Sequence, residues 1–453
     1  MNRDTFMKNA IDPYIDSITG IRNKNYIIKL LQEKISNKDL VNYSLFLLDI
    51  DNFWFINDYW GYDFGNDLLK EIAEGLLNII QNNAIVAYLG ANSFIIINFE
   101  IEDIGKYAEE ILNRIREEFI LENASVNLTT SLGVYEDYTH EAYTYDGIIK
   151  GIQNADIALN KAKMNGKDCF VIFNDSIKWE LNRKVKIQNN LRNAIKKDLM
   201  EIYYQPKIDT KNQQFLGMEA LLRWNDDELL TISPSEFIPI AEEMDIIIEL
   251  GRYVLKKVCI QIKNWEERGV NYINVAVNVS SKQFRDISLP DFITSTLKEQ
   301  GLPPGVLELE VTESAIVEND KYSNKMFNEF IKKGIKIAID DFGVGYSSYN
   351  QLSNLSFNTL KIDKSFIDFI DFDNKKSLIV KNMIDFAHIL EMNVVAEGVE
   401  QEHQMKKLKE YGCDIIQGYY YSKPLCVHDL EEYIMKKGKE NKNESCKNIK
   451  KRF

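Results

Sequence analysis

The feature that most constrains this chain is a series of short apolar runs in its second half, each ending on an acidic or amide side chain. They are Leu216-Gly217-Met218-Glu219, Val275-Ala276-Val277-Asn278, Leu307-Glu308-Leu309-Glu310, Ile337-Ala338-Ile339-Asp340 with Asp341 next, Leu360-Lys361-Ile362-Asp363 and Val394-Val395-Ala396-Glu397. Each has the length and aliphatic content of a strand, and helix-like periodicity fills most of the stretches between them. Strands alternating with helices predict a parallel sheet, and about eight such units close into a barrel of roughly 250 residues. Counting Ile202 to Lys207 as a first strand and Asp414 to Gln417 as a last brings the number to eight, between residues 200 and 420. In such a barrel the C-terminal strand ends open into one shared mouth.

So many carboxylates in one mouth repel each other unless a cation holds them, so the pattern reads as a metal site. All the candidate ligands are oxygen donors, which suits Mg²⁺, Mn²⁺ or Ca²⁺ rather than Zn²⁺. The adjacent pair Asp340 and Asp341 suits two ions that clamp the attacking and leaving oxygens of a phosphoryl displacement. Lys361 adds a positive charge for a developing oxyanion or a nucleophilic water. Taken singly, any one of these acids is an ordinary strand end or helix N-cap; the joint pattern carries the reading.

These residues resemble the EAL family of cyclic di-GMP phosphodiesterases. The resemblance runs in order through Glu219-Ala220-Leu221-Leu222-Arg223-Trp224, Asn278-Val279-Ser280, Glu310-Val311-Thr312-Glu313-Ser314, Asp340-Asp341-Phe342-Gly343-Val344-Gly345, Lys361-Ile362-Asp363, Ala396-Glu397-Gly398-Val399-Glu400 and Gln417-Gly418-Tyr419, over roughly residues 185 to 430. It implies a TIM-type (β/α)8 barrel in which Glu219, Asn278, Glu310 and Asp340 hold one Mg²⁺ or Mn²⁺ ion. Asp340, Asp341 and Glu397 would hold or orient a second ion and the attacking water, and Lys361 would contact that water and the scissile phosphate. Gln205, Arg223 and Gln417 would bind substrate, Arg223 at a phosphate and Gln417 near a guanine. Glu313 would brace the loop from Asp341 to Ser348, where Gly343 and Gly345 permit rearrangement. The implied reaction hydrolyses cyclic di-GMP to linear 5'-pGpG, in a homodimer formed through the barrel. Departures lie off the metal shell: Asn225 to Thr231 lacks the usual His-Pro and Gly, Val344 replaces a usual Thr, and Tyr349 a usual Leu. They bear on rate and regulation more than on reaction type.

The first half resembles a GGDEF domain, over about residues 12 to 173, through Asp16 to Asn23, Asp49-Ile50-Asp51-Asn52-Phe53, Ile56-Asn57-Asp58, Gly61, Gly65-Asn66, Ser131 to Val134 and Ala155 to Lys167. The implied fold is a βααββαβ sheet with helices, a cyclase-palm-like α/β sandwich. Its defining loop is broken, because Gly90-Ala91-Asn92-Ser93-Phe94 puts an amide and a hydroxyl where the family has two acids. A neutral amide substitutes poorly for a carboxylate on Mg²⁺, so cyclase activity is not expected. The resemblance still matches Asp49 and the Ile50 carbonyl to metal contacts, Asn57 to a guanine contact, and Lys163 and Lys167 to phosphate contacts. Asn66 stands where an Asp usually reads the guanine edge. GTP as an allosteric ligand and a purely structural or dimerising domain are both open readings. Gln81-Asn82-Asn83-Ala84 lacks the Arg-x-x-Asp of the family's product-inhibition site, so that inhibition is not expected.

The chain's 453 residues fit two or three domains, and 45% hydrophobic with 11% aromatic content can bury two cores. A net charge of -14 argues against a nucleic-acid polymer or membrane surface as partner. Cys169, Cys259, Cys413, Cys426 and Cys446 show no pairing pattern and read as free thiols of a reducing cytoplasm. His140, His388, His403 and His428 match no metal spacing. No apolar run is long enough to span a membrane and no signal peptide is evident, so the expected location is cytoplasmic. Ser176 to Asp198 spaces Ile177, Leu181, Ile187, Leu191 and Ile195 at mostly helical intervals, predicting an amphipathic connector that either transmits a shift to the barrel or simply packs on it. The expected organisation is a degenerate GGDEF domain at 1–174, a connecting helix at 175–198, an EAL barrel at 199–435 and a basic tail at 436–453. The expected function is cyclic di-GMP hydrolysis. A non-catalytic cyclic di-GMP receptor is the alternative, and a diguanylate cyclase fails at Asn92 and Ser93.

Overall fold

A computed structural model of the chain describes residues 12–36, 43–80, 84–99, 103–121, 124–137, 144–270, 274–313, 321–343, 355–372 and 374–437. The loop from Val344 to Tyr349, residues 81–83, His140, Cys446 and nearly all of the basic tail lie outside them. The chain divides into two compact units, one ending at Arg183 and the other beginning at Lys184.

The first unit is built on strands β1 (Arg22–Asn23), β2 (Ser44–Ile50), β3 (Ala84–Gly90), β4 (Ser93–Asn98), β5 (Phe119–Leu121), β6 (Ala124–Val126), β7 (Thr130–Glu136) and β8 (Phe170–Ile172). Six of them form one sheet in the order β1-β3-β4-β2-β7-β8, and β5 pairs with β6 alone. β2 is central and apolar on both faces. Phe46, Leu48 and Ile50 pack with helices Tyr62–Ile79 and Ile104–Arg116. Leu45 and Leu47 pack on the opposite side with Ile27, Leu31, Ala155 and Leu159 from helices Lys24–Ser36 and Tyr145–Met164. This period-two alternation makes the helix-sheet-helix sandwich.

The second unit contains β9 (Met200–Asp209), β10 (Phe215–Asp226), β11 (Leu230–Ile232), β12 (Asn274–Val279), β13 (Leu307–Thr312), β14 (Lys336–Phe342), β15 (Thr359–Ile362), β16 (Asn393–Ala396) and β17 (Ile415–Ile416). β10 and β12 to β17 run parallel in sequence order, and β9 closes the barrel by pairing with both β10 and β17. β11 lies at the edge beyond the ring, antiparallel to β10. Of the eight strands that close the barrel, β9 departs from the parallel expectation, antiparallel to both neighbours. The cause is the connection to β10, which is a tight hairpin rather than a helix. Asp209 Oδ1 accepts from the amides of Lys211 and Asn212, and Gln213 adopts a left-handed φ of 60°. So short a link cannot make the crossover that parallel strands need.

Along the parallel strands, residues such as Val275, Val277, Leu307, Leu309, Ile337 and Ile339 pack in one large apolar cluster with the surrounding helices. The alternate residues point into the barrel: Glu310 on β13 meets Lys361 on β15, and both Glu308 and Glu310 meet Lys207 on β9, contacts between strands that are not neighbours. The interior therefore carries charge where many such barrels carry branched aliphatics. Helix Asp175–Lys196 precedes β9, and its Ile187, Leu191 and Ile195 are buried with Met200, Trp224 and Phe237.

Candidate active site

The barrel places Glu219 on β10, Asn278 on β12, Glu310 on β13, Asp340 and Asp341 on β14, and Lys361 on β15. Glu397 directly follows β16 and Gln417 directly follows β17. Asn278 lies opposite Glu310 in the β12–β13 register, and Glu219 opposite Gln205 in β9–β10. Lys361 is the hub. Its Nζ lies 2.7 Å from Glu310, 2.7 Å from Glu397, 3.0 Å from Asp340 and 3.7 Å from Glu219. Glu219 in turn accepts from Asn278 Nδ2 at 2.6 Å and from Gln417 Nε2 at 2.5 Å. Gln417 Nε2 also reaches Gln205 Oε1 at 3.1 Å, and Gln417 Oε1 is buried without a hydrogen-bond partner.

Lys361 is only 1% exposed. Burial works against its charge, yet Glu219, Glu310, Glu397 and Asp340 together hold its pKa well above the ordinary lysine value. The acids pay for crowding. Burial, then mutual repulsion, raises Glu219, and burial also raises Asp340. Asp341 rises through burial and its neighbour Asp363. Glu397 is pushed up to about 8, burial and the charge on Asp340 outweighing Lys361. Glu310 is the exception: burial alone would raise it, but Lys207 and Lys361 hold it down at about 2.

Ligand oxygens of Asp340, Asp341 and Glu397 all lie within 4.8 Å of one another. Asp341 reaches this group from a left-handed backbone, φ 54°, which aspartate tolerates better than most residues. Its amide donates to Asp340 Oδ1 at 3.0 Å. Among the described residues, the carboxylates Glu219, Glu310, Asp340, Asp341 and Glu397 face Lys361 and Lys207 as counter-charges. That surplus of anionic oxygen fits a hard divalent cation. Glu313 accepts from the Gly343 amide at 3.1 Å, at the start of the loop it was expected to brace. Gly343 itself has φ 100°, and a Cβ there would come within 2.6 Å of Met383. Arg223 is half-buried and stands apart from the carboxylates. Its Nη1 donates to Leu222 O, and its guanidinium lies 5.9 Å from the Tyr203 ring centroid.

Sequence reasoning missed Lys207. Buried on β9, it donates to Glu310 Oε1 at 2.8 Å and lies 3.6 Å from Glu308, which accepts from Thr359. The signal was there in the spacing, because Lys207 shares the strand face of Gln205 two residues earlier.

In the first unit, Asp49, Asn57, Asn66, Lys163 and Lys167 line one cleft of about 620 Å³, together with Trp54 and Tyr62. Gly65 makes room for Asn57, whose Oδ1 would lie 2.0 Å from an added Cβ. Lys163 Nζ lies 2.8 Å from Asp49, and the Ile50 carbonyl accepts from Asn92 Nδ2 at 2.8 Å. The described cysteines Cys169, Cys259, Cys413 and Cys426 are free thiols. Among the described residues no helix is long and apolar enough to cross a membrane.

Comparison with known proteins matches residues 188–424 to the EAL domain and residues 13–169 to the "Diguanylate cyclase, GGDEF domain". The signaling protein YkoW of Bacillus subtilis is 33% identical over 431 residues, 93% of this chain and 53% of YkoW. The cyclic di-GMP phosphodiesterase PdeR of Escherichia coli is 31% identical over 420 residues, 92% of this chain and 63% of PdeR. The chain thus spans about half to three fifths of the length of these relatives. A solved structure of the PaMucR phosphodiesterase with c-di-GMP is similar at a TM-score of 0.53 and 36% identity, over 54% of this chain and 99% of that one. With its EAL model matching more than half of its length, the chain belongs to the EAL domain family and carries a GGDEF domain ahead of its EAL domain.

Proposed function

We propose that the barrel hydrolyses cyclic di-GMP to linear 5'-pGpG with Mg²⁺ or Mn²⁺, under a GGDEF domain that makes no cyclic di-GMP and binds GTP as a regulatory ligand. The observation that carries this reading is the surplus of carboxylates around Lys361 at the C-terminal mouth of the barrel. Glu219, Asn278, Glu310 and Asp340 would hold one ion, and Asp340, Asp341 and Glu397 a second. When bound, the ions supply positive charge that sharpens a nucleophilic water and balances the phosphate oxygens.

The remaining chemistry is assigned to this chain's own groups. Lys361, an ammonium donating into Glu310, Asp340 and Glu397, has no lone pair with which to take a proton. Its role is to fix those carboxylates and to meet the negative charge of the phosphate. Glu397, which is only partly buried, is the better acceptor for the proton of the attacking water. Gln417 Oε1, buried and unpartnered, is an acceptor left for a guanine N–H donor. Gln205 supports Gln417, and Arg223 further along β10 would meet a substrate phosphate.

The division of labour follows residues 1–174 for regulation, 175–198 for connection, 199–435 for hydrolysis and 436–453 as a tail, with barrels pairing as a homodimer. The family names of PdeR and PaMucR support the substrate. Incubating the purified chain with cyclic di-GMP and Mg²⁺ or Mn²⁺ and looking for pGpG tests the reading. Tight binding without turnover would mean a receptor instead.

A further inference from the structure

The cleft of the first unit contains the two groups that the GGDEF resemblance matches to a metal, Asp49 and the Ile50 carbonyl, and protein donors occupy both of them. Asn92 Nδ2 donates at 3.0 Å to Asp49 Oδ1 and at 2.8 Å to Ile50 O. Lys163 Nζ lies 2.8 Å from the same Asp49 Oδ1, and Ser93 Oγ donates at 3.0 Å to Asp49 Oδ2. The neighbouring Asp51 is equally engaged, by Ser131 Oγ on one oxygen and by Thr129 Oγ1 and the Asp168 amide on the other.

The orientation of the Asn92 amide follows from its surroundings. Both neighbours are pure acceptors, so the NH₂ end must face them. Turning the carbonyl end inward would lose both hydrogen bonds, and a neutral amide oxygen offsets a divalent charge less well than the carboxylate the family has at this position. Mg²⁺ requires oxygen ligands at close to octahedral geometry, and an amide nitrogen is not one of them. Lys163 already supplies Asp49 with its counter-charge, so the electrostatic need that draws a cation to an isolated carboxylate is met. The residues present therefore do not fit the family's ion.

We infer that Asp49 and the Ile50 carbonyl are closed to divalent cations, and that the cleft takes its nucleotide cation-free, with Asn92 and Lys163 standing in the ion's place. The nucleotide part rests on the GTP reading proposed above. The cleft's volume suits a nucleotide. Lys167, donating at 2.7 Å to Asn52 Oδ1, keeps its charge on the cleft for a phosphate. The barrel makes the contrast, since there one ammonium is shared among four carboxylates instead of one carboxylate among several donors.

Two measurements on the full chain test this. The first is GTP affinity by equilibrium dialysis in excess EDTA and in excess Mg²⁺. The expected Kd values agree within about twofold, and a Kd about tenfold tighter with Mg²⁺ overturns the inference. The second is a count of bound Mn²⁺ by electron paramagnetic resonance, with the barrel ligands intact throughout. Wild type and Asp49→Ala are expected to bind equal numbers of ions, and Asn92→Asp to gain one. Loss of an ion in Asp49→Ala overturns the inference, as does an unchanged count in Asn92→Asp. Absence of GTP binding in both buffers brings down the GTP reading alone, and the manganese count then decides the closure of the site. If Asp49→Ala does not fold, the Asn92→Asp count decides it.

Discussion

Two strand-end aspartates in this chain each face a lysine, Asp340 at 3.0 Å from Lys361 and Asp49 at 2.8 Å from Lys163, yet their surroundings are inverted. In the barrel mouth acceptors outnumber donors, and the carboxyl groups of Glu219, Asp340, Asp341 and Glu397 are all raised, with burial the leading cause. In the first unit's cleft donors saturate the aspartate. The difference teaches that a carboxylate at a strand end is not by itself a metal ligand; the balance of donors and acceptors around it decides whether a cation has anything to add.

The sharpest way to break the comparison is to remove the same type of group from each side. Glu219→Ala should lower cyclic di-GMP turnover by at least about 10²-fold, the scale expected when a group organising transition-state charge is lost. The far-UV circular dichroism should stay native. Asp49→Ala, in contrast, should leave turnover without GTP within about threefold, because the cleft takes no part in the reaction. Similar losses in both variants would show that the two sites are not separable as argued.

Lys207→Met comes next in size. Glu310 would keep Lys361 but lose its other charged partner while remaining only 1% exposed. Removing one partner from a buried ion network costs about 3 kcal/mol, read as a lower urea midpoint for the second unit. A midpoint unchanged from wild type would show that Lys207 is a bystander. Its omission from the sequence reading has a physical cause: a lysine in a strand ordinarily marks the solvated face, and only the closing of β9 against β17 puts this one inside. The strand-end acids were legible because apolar runs set register and a barrel converges its C-terminal ends. The direction of β9 was harder to see, since its hairpin is written in Asp209, Asn212 and the left-handed Gln213, residues equally at home in a helix-leading loop. Asn92 was read as a weak ligand; that it is a donor joining Asp49 to Ile50 O depends on a contact across the sheet that spacing along the chain does not reveal.

The pH dependence of the two sites should differ as well. Raised carboxyl groups mean that the ion-free folded barrel holds more protons than the unfolded chain, from the ordinary glutamate pKa of about 4.5 up to about 8 for Glu397. Stability of the ion-free barrel therefore falls as pH rises through that window. Glu310, held down at about 2, acts in the opposite sense but below the window. A cation must displace the same protons, so Mn²⁺ affinity should rise with pH across it. Thermal melts in EDTA and with Mn²⁺ should diverge by several degrees more at pH 8 than at pH 6, on the order of 1 kcal/mol. A constant gap would mean that the acids titrate normally.

The smallest effect is expected at the turn carrying Asn92. Ala91 sits at φ 56°, almost the same backbone angle as Asp341 at φ 54° in the barrel. The two residues meet this conformation with different means, since an aspartate side chain can bond locally in the left-handed region and an alanine has only the steric cost of its Cβ, about 1 kcal/mol. Ala91→Gly removes that cost, offset in part by the freedom that glycine adds to the unfolded chain, for a net gain of about 0.5 kcal/mol in the first unit. Asn92 keeps its bonds to Asp49 and Ile50 O in this variant if those bonds, rather than the strained turn, hold it in place. The expected result is a slightly higher melting temperature for the first unit with GTP affinity still indifferent to Mg²⁺. A new dependence on Mg²⁺ would show that the alanine's rigidity, and not the donor set, keeps the cation out.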